Sequence, residues 1–115
     1  MNSAFNRSSM PVDAANSFAA MLAPVRVAFL KSLPEHICFF EEYRDAEAGA
    51  KRDDMEQQLA RRAHRIVGVA QTLSYGRLGR LASRLEYALT DGNAEADVPP
   101  LVTEVIEEML FATNS

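Results

Sequence analysis

The apolar positions of this chain recur at three and four residues along most of its length. Between residues 17 and 43 they are Phe18, Met21, Leu22, Val25, Phe29, Leu30, Leu33, Ile37 and Phe40. Side chains at that spacing share one face of a helix, so the pattern predicts an amphipathic helical region. Pro24 and Pro34 interrupt it, each as a first helical residue or a kink, which leaves two helices or one bent one. Ser32, with Glu35 three residues on, reads as a start signal for the second. The charged and small residues from 45 to 54 predict a loop around Gly49, with Asp53 or Asp54 capping the next helix. That helix, about 54–74, carries the stripe Met55, Leu59, Ala63, Ile66, Ala70 and Leu73. A turn or kink at Ser74-Tyr75-Gly76 leads to a helix with Leu78, Leu81, Ala82, Leu85 and Leu89. Asp91-Gly92-Asn93 predicts a turn, and 91–100 a loop ended by Pro99-Pro100. The last helix sets Val102, Val105, Ile106, Met109 and Leu110 on one side, and Glu104, Glu107 and Glu108 on the other.

No stretch alternates polar and apolar residues as a half-buried strand does. The expected fold is all-α, an antiparallel four-helix bundle with an additional short N-terminal helix or arm. Residues 1–16 are polar and broken by Pro11, and read as a loose tail. That leaves 17–115 as a single domain.

Composition narrows the function. At 115 residues the chain makes one core. Its 12 Lys+Arg against 16 Asp+Glu give a net charge of -4, which argues against general nucleic-acid binding. The lone Cys38 excludes an internal disulfide and a Cys-rich zinc site, and reads as a small core hydrophobe. His36 reads as a surface or helix-junction residue rather than a metal ligand. No apolar run approaches the ~18–20 residues of a membrane span, and no apolar core of a secretory signal is present, so the expected location is the cytoplasm. The charge is uneven. Residues 51–89 hold eight basic against four acidic side chains, a surplus that suggests a local anionic partner.

The predicted central helix points to the chemistry. With its core direction set by Leu59, Ala63, Ile66, Ala70 and Leu73, His64 lies about 140° away, facing solvent. Arg61, Gly68, Gln71 and Tyr75 fall on the same exposed stripe. Gly68 inside a helix costs about 1 kcal/mol relative to Ala, and removes a side chain one turn beyond His64. Arg61 and Gln71 can donate hydrogen bonds to oxygens above the ring. A neutral exposed imidazole is a competent nucleophile, and this set fits a histidine that accepts a phosphoryl group.

The run His64-Arg65-Ile66-Val67-Gly68-Val69-Ala70, followed by Leu73 and Leu78, resembles the signature of histidine phosphotransfer (HPt) domains. In that pattern the histidine is followed by apolar, Gly, small and two apolar positions, matched here by Ile66, Gly68, Ala70, Leu73 and Leu78. Two positions depart from it. Val67 stands where the family usually has Lys, and Ser74 where it often has Gly. The resemblance implies a helical bundle that takes a phosphoryl group on His64 from a receiver domain's aspartyl-phosphate and passes it to another receiver, in two-component signalling. With Val67 in place of that Lys, Arg61 and Gln71 are the candidate phosphoryl contacts and Gly68 the access position, and Arg65, Val67, Val69 and Arg77 are candidates for the docking surface. The resemblance also implies a carrier without an ATP site or cofactor of its own, Mg²⁺ being supplied by the receiver. Its partners would be response-regulator receivers or a hybrid histidine kinase, with no nucleic acid or membrane, and a monomer is the expected state. The alternative is a degenerate helical module that binds a receiver or another signalling protein without carrying phosphate.

Overall fold

In a computed structural model the chain forms four helices, α1 (Asn2–Asp45), α2 (Ala50–Thr72), α3 (Gly76–Asp91) and α4 (Ala94–Asn114). The structure describes the backbone of residues 2–46, 49–91 and 94–114, and the side chains of 17–46, 49–91 and 97–114. Each helix packs on the next and α4 returns to α1, which closes an antiparallel bundle. Every stripe residue read for α2 is buried, with Leu59, Ala63 and Ala70 wholly inaccessible. Leu33, Phe40, Leu85, Val102, Val105 and Met109 meet them from the other three helices.

Several local expectations change. α1 is one continuous helix that passes through Pro24 and Pro34, and Ser32 caps nothing: its hydroxyl donates to the carbonyl of Phe29 at 2.7 Å. The backbone from Asn2, expected as a tail, forms the first turns of α1. The expected short N-terminal helix or arm is therefore the leading part of α1 itself. α2 begins after Gly49 with no side-chain cap, and Asp53 lies in its first turn. The turn expected at Asp91-Gly92-Asn93 falls partly outside the described residues. Pro99 and Pro100 do not end a loop but lie inside α4, where burial of Val98, Leu101 and Val102 holds the segment on its helical path.

Burial also departs from the pattern at particular residues. Cys38 is exposed on α1, its thiol 3.6 Å from Glu42 Oε1. His36 is buried instead, with its Nδ1 accepting from Arg62 Nη1 at 2.9 Å, and Arg62 also spans to Glu35 and lies over the Phe39 ring. Burial first, and then the Arg62 guanidinium, lower the His36 pKa below the usual imidazole value. At the α1–α2 end the buried Tyr43 donates to Glu56 Oε2 at 2.6 Å, and its pKa is pushed up to about 12, mainly by burial.

The molecule measures 69 × 26 × 19 Å, with a radius of gyration of 18.2 Å. A compact domain of this length has a radius near 13 Å. The difference comes from α1, whose 44 residues extend about 66 Å at a helical rise of 1.5 Å per residue. Phe18, Met21 and Val25 belong to the α1 stripe, yet they are exposed. They lie before Phe29 on turns of α1 that the neighbouring helices cover only in part, Leu22 between them being half-buried against the core.

Candidate functional site

The site is built on the α2–α3 hairpin. α2 ends in a left-handed turn in which Ser74 has φ 68°, Ser74 N–H donates to the Gln71 carbonyl and Tyr75 N–H to that of Ala70. This is a Schellman closure, in which glycine is the usual occupant of the left-handed position. Tyr75 does not join the exposed stripe. It leaves the helix, stacks 5.8 Å from the Phe29 ring and lies beneath the guanidinium of Arg26, which also reaches the Leu73 carbonyl.

The hairpin turns about Tyr75, so residues equally far before and after it face each other. Gln71 meets Gly79, where an added Cβ would stand 3.2 Å from Gln71 Cγ. Glycine there lets the two helices close up. Eleven residues out on either side, His64 meets Glu86, and their Nδ1 and Oε2 are 2.8 Å apart.

That contact defines the imidazole. A carboxylate oxygen only accepts, so Nδ1 carries the proton and donates it, and Nε2 keeps its lone pair. The His64 side chain is 76% exposed and that of Glu86 30%. The nitrogen away from Glu86 is therefore the basic and nucleophilic one, on a ring held by its other edge. Ala60, Arg61, Arg65 and Thr90 line the same shallow groove of about 430 Å³.

The proposed site residues do not all assemble. Arg61 lies one turn before His64, and Gly68 and Gln71 one and two turns after it, all exposed on one face. An added Cβ at Gly68 meets nothing within 4 Å. Arg65 is exposed and flanks the ring from the side toward α1. Val67 and Val69 are partly buried and packed against the core. Two residues apart on a helix they point about 160° away from each other, so they do not form one patch. Arg77 is distant: at the start of α3 it lies about 14 Å down the hairpin axis from Glu86, and its Nε is 3.2 Å from Glu108. Sequence reasoning missed Glu86, although the hairpin turn at 73–75 was legible and folding the two helices about it sets 86 opposite 64.

Comparison with known proteins identifies the family. The family model described as Hpt domain matches residues 25–113. The chain belongs to the Hpt family, whose members are histidine phosphotransfer modules of two-component signalling, helical bundles that carry a phosphoryl group without an ATP site. Nothing among curated proteins and nothing among solved structures matches it. Among the described residues no helix is long and apolar enough to cross a membrane.

Proposed function

We propose that this chain is a phosphorelay intermediate that accepts a phosphoryl group on Nε2 of His64 from the aspartyl-phosphate of a receiver domain and hands it to a second receiver. The observation that carries this reading is the exposed ring whose Nδ1–H is held by Glu86, leaving Nε2 outward. In the transfer the Nε2 lone pair forms the N–P bond as the P–O bond to the receiver aspartate breaks, and the aspartate leaves with the electron pair. The ring becomes positively charged, and Glu86 stabilises that charge through Nδ1–H. Such a step is largely positioning and charge stabilisation, so a small carrier suffices.

Arg61 and Gln71, exposed above and below the ring on the same face, are placed to donate to the phosphoryl oxygens. Gly68 keeps the approach open. The usual lysine position holds the half-buried Val67, so on this side Arg61 and Arg65 are the available cations; neither makes an ion pair among the described residues. No group of three metal-ligating side chains exists among the described residues, and Glu86 is already engaged. In this reading Mg²⁺ would be held by the receiver's carboxylates and would neutralise charge on the phosphoryl group. The basic surplus of residues 51–89, through Arg61 and Arg65, steers that acidic pocket onto the site. Residues 17–115 form the transfer unit, and its place is the cytoplasm.

The test is incubation with phosphorylated receivers followed by intact-mass measurement. An acid-labile gain of about 80 Da, one phosphoryl group, is expected on the wild-type chain and not on His64→Ala. No gain with any receiver, with receiver binding retained, would leave a degenerate interaction module instead.

A further inference from the structure

The leading part of α1 leaves the bundle at Leu22, which is still half-buried against the core, and carries Phe18 and Met21 into solvent. Phe18, Leu22, Val25 and Phe29 are spaced four, three and four residues apart, the alternation of a coiled-coil seam. Phe29 closes into the bundle, whereas Phe18 is 57% and Met21 69% exposed. At the same end of the bundle α4 brings Leu110 and Phe111 to the surface, Phe111 at 70% exposure. A single helix standing in water is marginal without packing along one face. This arm therefore requires a covering surface.

We infer that the covering surface is a second copy of this chain, bound through the α1 arm and the bundle end beside it. Charge is the first argument. Between Asp13 and Arg26 the sequence has no charged residue. A receiver's acidic face finds no complement there, whereas depletion of charge is the mark of a self-associating interface core. Shape is the second. An isologous contact needs a surface that matches itself, and a seam of this spacing pairs with its like. With two arms antiparallel about an axis between Met21 and Leu22, Phe18 of each faces Val25 of the other and lies next to the other's bundle end, where Leu110 and Phe111 are exposed. Pro24 falls off the seam and does not obstruct the pairing. Area is the third. Covering the exposed parts of these side chains on both copies removes on the order of 1,000 Å² from water, the threshold for a specific interface. This dimer departs from the monomer favoured on sequence, and its two His64 rings stay outward, since each lies more than two helical turns from the bundle end.

Light scattering or sedimentation of the full chain, from about 1 to 200 µM, spans the affinity of interfaces of this size. The mass is expected to rise to twice that of the chain. Phe18→Glu with Met21→Glu should hold it at one chain's mass at every concentration. The bundle's melting temperature at low concentration should not move, because both side chains are exposed. Tyr87→Ser, exposed on the α3–α4 face, should dimerise as wild type. A wild-type chain of single mass throughout overturns the inference, whether or not it binds vesicles or another protein. So does a Phe18→Glu/Met21→Glu variant that still dimerises. Phosphoryl transfer by His64 is read separately, and neither result depends on the other.

Discussion

Replacing Gly68 by Ala should make the protein more stable, which is unusual for a residue in the middle of its functional helix. An added Cβ there meets nothing within 4 Å, so the substitution introduces no clash and fills no cavity. The change reduces to intrinsic helix propensity, in which Ala exceeds Gly by about 1 kcal/mol at an exposed interior position. For a domain of this size that gain raises the melting temperature by about 4–6 °C, or the urea midpoint by about 0.5 M with an unchanged slope. Thermal and urea unfolding by circular dichroism measure both. The carbonyl of Gly68 also accepts the Thr72 hydroxyl at 3.1 Å, a backbone bond that Ala preserves. The functional counterpart is a size series. Side chains on a helix lean toward its N-terminus, so a group at 68 covers the turn occupied by His64. Gly68→Leu should fold stably and yet transfer phosphate at least tenfold more slowly, with Gly68→Ala between it and wild type. An unchanged or lowered melting temperature in Gly68→Ala would refute the account of an open, unstrained helical position. Wild-type transfer by Gly68→Leu would refute its role in access.

Two further outcomes follow from side-chain contacts. Glu86→Gln should leave the fold intact, since the pair is exposed, but should slow transfer about tenfold through loss of a charge-assisted bond to the ring; ring-nitrogen NMR shifts should show the His64 Nδ1–H tautomer losing its dominance, and transfer equal to wild type would remove Glu86 from the mechanism. His36 is held neutral in the fold below its ordinary value, so the unfolded chain binds more protons between the lowered folded pKa and about 6.5; stability should fall as pH drops through that window and level off below it, and His36→Gln should flatten the slope in urea titrations.

The sequence made the core legible wherever local periodicity decides burial. All six α2 stripe residues are buried because a helix face and the interior coincide there. The same periodicity misleads at Phe18, Met21 and Val25. It identifies a face but not how far the neighbouring helices extend alongside it, and here they cover Leu22 only in part and leave the other three exposed. His64 was legible because exposure on a helix follows from the core direction. Arg77 was not excluded as a rim residue, because its distance from His64 is a matter of position along the hairpin rather than of face. Cys38 and His36 exchange their expected environments because the Arg62 guanidinium supplies a donor that lets an imidazole be buried, a contact between residues 26 apart. Ser74 has a plain reason in the fold: it occupies the left-handed turn residue, where the family often has glycine.

The symmetry of the α2–α3 hairpin about Tyr75 means that His64 and Glu86 are matched by counting, not by long-range folding. Both lie within one 42-residue stretch from Ala50 to Asp91, and α1 and α4 serve as its backing. Inserting or deleting one residue in the Leu73–Tyr75 turn would rotate Glu86 away from the ring while the hydrophobic stripes could still find partners. The hairpin is thus a portable cassette. Grafted onto another pair of supporting helices with its turn length preserved, it would carry the His64–Glu86 pair with it.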